Sequence, residues 1–160
     1  MKKPLVAVIP ILLLFGTAYA LDTPPMKEGL WKMHMTTNSP GVVPTDQTFS
    51  LCRDHAFDNR THEMTERQPG CTVSGDVISG NKRTYIGTCK VGATTIVTKS
   101  LVTWSGDTHF HAETEATYTP AFMGKMRETM IQDQTYIGNC PAGMNPGDRM
   151  GADGHVMHHR

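Results

Sequence analysis

The sequence predicts a mainly β fold: a curved, mostly antiparallel sheet of about seven strands, open or half-barrel, with one short helix. The main reason is the segment 71–119, which has the pattern of two hairpins in succession with turns at Ser79–Lys82 and Ser105–Asp107. A second reason is the placement of the four cysteines, which would cross-link such a sheet. Segments before and after these hairpins supply the remaining strands.

The first twenty residues have the features of an export signal. A basic start precedes an apolar run from Leu5 to Phe15, and Ala18-Tyr19-Ala20 is the small-residue pattern that signal peptidase recognises. A membrane anchor needs about 20 apolar residues, whereas Pro10 interrupts a shorter run here. We therefore expect cleavage near Ala20, a periplasmic or secreted protein and no transmembrane anchor.

The segment 21–140 is expected to form one domain. Its first strand covers residues 28–37, where Trp31, Met33 and Met35 alternate with more polar residues and so share one face. A proline- and glycine-containing turn leads into a second strand over residues 45–52. The spacing of apolar residues then changes and predicts one helix between residues 53 and 67, before the Pro-Gly pair that ends it.

The central hairpins come next, and their turns predict the strand register. Counting outward from Gly80 brings Cys71 opposite Cys89. Counting from Gly106 gives the following cross-strand pairs: Val102 with Phe110, Ser100 with Ala112, Lys99 with Glu113, His109 with Thr103 and His111 with Leu101. The last strand is predicted at residues 125–138. The segment 141–160 is rich in proline and glycine with little to bury, which predicts a flexible tail.

Four cysteines allow three pairings in principle. The symmetry of the first central hairpin selects Cys71 with Cys89, which leaves Cys52 to pair with Cys140. That second bond would tie the second strand to the end of the last one. Paired cysteines are typical of oxidising compartments outside the cytoplasm.

Charge excludes some classes of partner. Removal of the signal takes two lysines, so 13 basic groups would face 15 acidic groups in the mature chain. This balance gives no reason to expect binding to nucleic acid or to an anionic membrane surface.

A set of residues spread through the domain resembles a known family. The set comprises Gly29-Leu30-Trp31, Cys52, the hairpin from Cys71 to Cys89, Trp104-Ser105-Gly106-Asp107 and Gly138-Asn139-Cys140. It resembles the exported bacterial proteins catalogued as domain of unknown function 3617, over about residues 24–140. The resemblance implies an antiparallel β fold in the periplasm and implies no activity. The tail after Pro141 is not part of the pattern.

Motifs for enzymatic chemistry or a cofactor are missing from the sequence. The segment from His62 to Glu66 begins like a zinc protease helix but lacks the second histidine, and no serine or cysteine lies in a nucleophile-elbow pattern. We therefore expect a non-enzymatic binding or structural module. An apolar sheet face would contact a lipid, a small apolar molecule or another exported protein. The candidate ligand-binding residues on that face are Trp31, Val102, Trp104, Phe110 and Tyr118.

The alternative is a periplasmic protein that handles copper or zinc. His109 and His111 share a strand face with Glu113 and Glu115, close enough for two imidazoles to bind one zinc ion. The opposing strand offers no third ligand in the predicted register, so we expect at most weak zinc binding there. The tail combines imidazoles with thioethers, which are ligands for Cu(I); these residues are His155, His158, His159, Met144, Met150 and Met157.

Overall fold

The structure is a computed structural model that describes residues 26–159. The predicted export signal and its cleavage point near Ala20 lie outside these residues. The described chain forms nine strands and one helix. They are β1 (Gly29–Asn38), β2 (Thr45–Arg53), α1 (His55–Glu66), β3 (Cys71–Ser79), β4 (Lys82–Val91), β5 (Thr94–Ser105), β6 (His109–Phe122), β7 (Lys125–Gly138), β8 (Arg149–Met150) and β9 (Val156–Met157). Among residues 26–159, no helix is long and apolar enough to span a membrane.

All nine strands belong to one open antiparallel sheet. The strand order is β3-β4-β5-β6-β7-β1-β2-β8-β9, so β3 and β9 are the edges. Strands β3 to β7 follow one another as a meander, because each is joined to the next by a short turn. The predicted mainly β fold with one short helix is confirmed. The seven predicted strands correspond to β1–β7.

The hairpin of β3 and β4 places Cys71 directly opposite Cys89, as predicted. Gly80 begins its two-residue loop with a φ of 59°, a left-handed conformation that glycine adopts without steric cost. With a two-residue loop and no other irregularity, the strand register would be shifted by one residue and the two cysteines would not lie directly opposite each other. The β-bulge between Ser74 and Val77 adds a residue to β3 and restores the pairing.

The predicted register of β5 and β6 is wrong by two residues. Three residues separate Ser105 from its partner His109, because Gly106 is the first residue of the loop and not its centre. The next two carbonyls in this loop accept hydrogen bonds from the backbone N–H groups of Lys27 and Tyr136, which fixes the longer loop. A shift of two preserves the face of every side chain. The observed pairs are Val102 with Ala112, Ser100 with Thr114, Lys99 with Glu115, Trp104 with Phe110, Thr103 with His111 and Leu101 with Glu113.

Alternation along the strands gives the sheet two faces. We call them the Trp31 face, which includes Val102 and Phe110, and the His111 face, which includes Lys99 and Leu101. A core cluster on the Trp31 face contains the buried Trp31, Met33 and Leu51 and the partly buried Met26, Phe49, Phe57 and Tyr136. Helix α1 contributes Phe57 to it, and the helix begins where the Asp54 carboxylate accepts a hydrogen bond from the Phe57 backbone N–H at 2.6 Å.

A second core cluster lies on the His111 face and is completed by residues after Cys140. It contains the buried Leu30, Cys52 and Met144, with Cys140, Met150 and Val156 packed against them. The backbone N–H of Gly147 donates to the carbonyl of Cys52 at 2.8 Å, and β8 pairs with β2. Residues 141–159 are thus folded against the sheet, which differs from the flexible tail expected from their composition.

Asp148 explains how so polar a segment folds back on the domain. Its carboxylate is almost fully buried and accepts hydrogen bonds from the Asn145 and His159 backbone N–H groups, both at 2.8 Å, and one from the His158 ring at 2.9 Å. These hydrogen bonds lower the pKa of Asp148 to about 2, because they favour the ionised form. One buried carboxylate organises the turn that composition alone suggested would be disordered.

Candidate functional site

An open cavity of about 650 Å³ lies on the sheet between β3 and β7. Most of its lining belongs to two neighbouring rows of residues on the His111 face, each row crossing β4, β5, β6 and β7. The first row is Thr84, Leu101, Glu113 and Ile131, and the second is Ile86, Lys99, Glu115 and Thr129. The intervening row, Tyr85, Ser100, Thr114 and Met130, and the bulge residue Gly75 also contribute to the lining.

The strand register determines the length and chemistry of this cavity. Four strands at about 4.8 Å spacing give rows of about 14 Å. Aliphatic groups lie at both ends and in the middle: Ile86 on β4 is 37% exposed, Ile131 on β7 is 45% exposed, and Leu101 on β5 is half-buried. Exposed aliphatic side chains around a concavity of this size are typical of sites for small molecules.

Two carboxylates border the cavity, and each has a cationic or ionisable partner outside it. The Arg127 guanidinium lies 2.8 Å from the Glu115 carboxylate. The His111 ring Nε2 lies 3.2 Å from the Glu113 carboxylate. Lys99 differs from both, because no described residue lies within hydrogen-bond or ion-pair distance of its ammonium group, although Glu115 faces it in the register.

His111 is held between two carboxylates at the border of the cavity. Its Nδ1 is 2.7 Å from Asp133 and its Nε2 is 3.2 Å from Glu113. The hydrogen bond with Asp133 raises the pKa of His111, partial desolvation opposes that change, and the hydrogen bond with Glu113 raises the pKa further. The protonated ring can donate to both carboxylates, so the three side chains act as one network.

The residues predicted to bind an apolar ligand lie on the Trp31 face, away from both rows. Trp31 has no exposed surface, and its indole N–H donates to the Lys27 carbonyl at 2.8 Å, so it is a core residue and offers nothing to a ligand. Val102 is only 5% exposed. Trp104 and Phe110 are half-buried cross-strand neighbours. Tyr118 is half-buried, donates to the Glu128 carboxylate at 3.3 Å and stacks on Phe122.

The residues considered for metal binding are largely engaged elsewhere. His109 lies 3.3 Å from the Thr135 hydroxyl, and both ring nitrogens of His111 face carboxylates. In the tail, His158 contacts Asp148, His159 packs its ring against Phe57, and His155 is exposed. Met144 is buried and Met150 packs beside it, whereas Met157 is half exposed. No cluster of three or more histidine, cysteine or acidic side chains suited to a metal occurs among residues 26–159. Weak zinc binding stays a prediction.

The sequence reasoning missed the cavity because it considered the His111 face only as a possible zinc site. A local signal was present. Strand β5 has the adjacent apolar pair Leu101 and Val102, and β7 has Met130 and Ile131. Two successive apolar residues on a strand place one on each face, so both faces carry apolar groups at this point.

These features define a class: a single-sheet antiparallel β protein with two cysteine pairs, Cys52–Cys140 and Cys71–Cys89, and an open cavity on one face. The chain belongs to the family described as "Protein of unknown function (DUF3617)", whose model matches residues 26–140. No match was found among curated proteins or among solved structures. Strands β8 and β9 lie beyond the matched range.

Proposed function

We propose that this protein is an exported, non-enzymatic binding module that takes a small apolar or amphiphilic molecule into the cavity between β3 and β7. The observation that carries the proposal is the cavity itself. Its volume of about 650 Å³ falls in the range of known small-molecule sites. Its aliphatic side chains remain partly exposed, whereas the core clusters bury theirs.

The exposed aliphatic groups supply the driving force for binding. Full burial of an isoleucine or leucine side chain is worth about 1.5–3 kcal/mol. Ile86, Leu101 and Ile131 are already half covered, so a ligand would gain about 1 kcal/mol from each. That gain suits a ligand with an extended apolar part that crosses several strands.

Export and the lack of catalysis are supported by different features. All four cysteines are paired, which is typical of an oxidising compartment such as the periplasm. The cavity is bordered by aliphatic and hydroxyl groups, by the Lys99 ammonium group and by carboxylates that already have partners. The paired carboxylates suit binding better than proton transfer, because a general acid or base needs free access to its substrate. The metal-handling alternative lacks a comparable observation.

Native mass spectrometry of protein isolated from the periplasm tests the proposal. We expect an apolar or amphiphilic molecule to co-purify with the wild type and to be lost from Leu101→Gln. Val97→Gln is the matched control, because Val97 lies on the same strand and face, is half-buried and does not line the cavity. A wild-type protein that carries no such molecule and binds no alkyl-chain probe would overturn the proposal.

A further inference from the structure

We infer that the ligand of this cavity is an anionic amphiphile, a molecule with one alkyl chain and a negatively charged head group, and that Lys99 binds the head group. This inference rests on the proposed function and adds the chemical class of the ligand. It starts from the charges in the lining, which are one ammonium group, from Lys99, and two carboxylates, from Glu113 and Glu115.

The existing partners of these three charged groups determine whether the cavity favours an anionic or a cationic ligand. Glu115 is paired with Arg127 at 2.8 Å, and Glu113 is hydrogen-bonded to His111, whose raised pKa favours the charged imidazole. Lys99 alone among the three has no partner within the described chain. A ligand anion at Lys99 would therefore form a new ion pair, whereas a ligand cation would have to compete with Arg127 or His111.

The position of Lys99 also fits an amphiphile. Lys99 occupies an inner strand of its row, with Ile86 next to it on β4. Leu101 is two residues along β5 on the same face, about 6.5–7 Å away. A head group at the Lys99 ammonium would leave an attached chain over Leu101 and on toward Ile131 on β7. The aliphatic stem of Lys99 itself adds apolar surface to the cavity wall.

Calorimetric titration with three probes of equal chain length separates charge from chain. The probes are decanoate, decyl trimethylammonium and decanol, each below its aggregation concentration, titrated into the full chain. The variant is Lys99→Met, which keeps the stem and removes the charge. The control is Lys32→Met, because Lys32 is an exposed lysine on the same sheet face but lies on β1, outside the cavity. Decyl phosphate, tested in parallel, shows whether the site prefers a carboxylate or a phosphate head group.

Decanoate should bind wild type more tightly than decanol. Lys99→Met should weaken decanoate about fivefold, as expected for one partly shielded ion pair, and should leave decanol unchanged. Lys32→Met should change neither. Equal binding of decanoate and decanol, unaffected by Lys99→Met, would overturn this inference and leave the proposed function intact. Preference for the cationic probe would also overturn it. Failure of all probes to bind would overturn both.

Discussion

The two tryptophans of this chain should differ sharply in their importance for stability. Trp31 is fully buried, its ring meets Tyr136 edge to face with centroids 6.0 Å apart, and the Arg53 guanidinium lies 5.1 Å from its centroid. Trp31→Ala removes these contacts and opens a cavity in the core cluster. Substitutions of this kind cost about 3–5 kcal/mol. Since 1 kcal/mol shifts the melting temperature of a domain of this size by about 4 °C, we expect a fall of about 12–20 °C.

Trp104→Ala is the comparison. Trp104 is half-buried, and the hydrogen bonds that link it to Asn81 use its backbone atoms, so truncation of the side chain keeps them. We expect it to lose about 2 kcal/mol, roughly half the cost of truncating a fully buried tryptophan. Trp31→Phe should cost about 1 kcal/mol more than its change in packing, because the Lys27 carbonyl loses its donor.

Urea unfolding followed by circular dichroism, with the disulfides intact, gives these free energies of unfolding. Because the chain has two tryptophans, a Trp104→Phe protein also reports on Trp31 alone. Its fluorescence should be blue-shifted and resistant to acrylamide. Equal losses for Trp31→Ala and Trp104→Ala, or quenching of Trp31 as strong as that of free tryptophan, would refute the assignment of Trp31 to a closed core.

Three further predictions concern the disulfides and two titrating groups. Replacement of both cysteines of the Cys52–Cys140 disulfide, which are 88 residues apart in sequence, should lower the free energy of unfolding by up to about 4.5 kcal/mol, according to the loop-entropy model. Replacement of both cysteines of the Cys71–Cys89 disulfide, which are 18 residues apart, should lower it by up to about 3 kcal/mol. A larger loss for the second replacement than for the first in urea unfolding would contradict the entropy argument. Because the pKa of His111 is raised, its contribution to the stability of the fold is full below about pH 6.5 and is lost as the pH rises through the pKa of the folded state. His111→Gln should remove that part of the pH dependence of the free energy of unfolding, and an unchanged pH profile would count against the network. Because the pKa of Asp148 is lowered to about 2, its contribution to the stability of the fold is present above about pH 4 and is lost as the pH falls toward the pKa of the folded state. Asp148→Asn should therefore speed tryptic cleavage after Arg149 at neutral pH, and equal cleavage of both proteins would show that the carboxylate does not hold the segment in place.

Most of the fold followed from the sequence because its signals are local. Alternation placed β1 and β2, a change of period placed α1, and glycine-containing turns placed the central hairpins. The pairing of Cys71 with Cys89 was correct even though the loop has two residues, because the bulge in β3 offsets it. The prediction of the β5–β6 register was wrong because a glycine indicates where a turn lies but not which position of the loop the glycine occupies.

The candidate site was much less accessible to sequence reasoning. Each row that borders the cavity depends on three successive strand registers, from β4 to β7, and an error of two residues in one of them separates side chains that are neighbours in the structure. The lack of a partner for Lys99 within the described chain is equally non-local. It arises because Glu115 pairs with Arg127 on β7 and not with the lysine opposite it on β5.

The distribution of buried side chains connects the fold to the proposed function. Both core clusters lie where β1 and β2 are covered, on one face by α1 and on the other by residues after Cys140. Neither cluster includes a side chain of β3–β6, the part of the sheet that carries most of the cavity. The buried apolar side chains of this region, Val102, Ala112 and Ala116, are smaller than the leucine, methionine and tryptophan side chains of the two clusters, and β3 is in addition an edge strand. The Cys71–Cys89 bond fastens that edge strand to β4, so a covalent link stabilises the part of the sheet that carries the proposed ligand site.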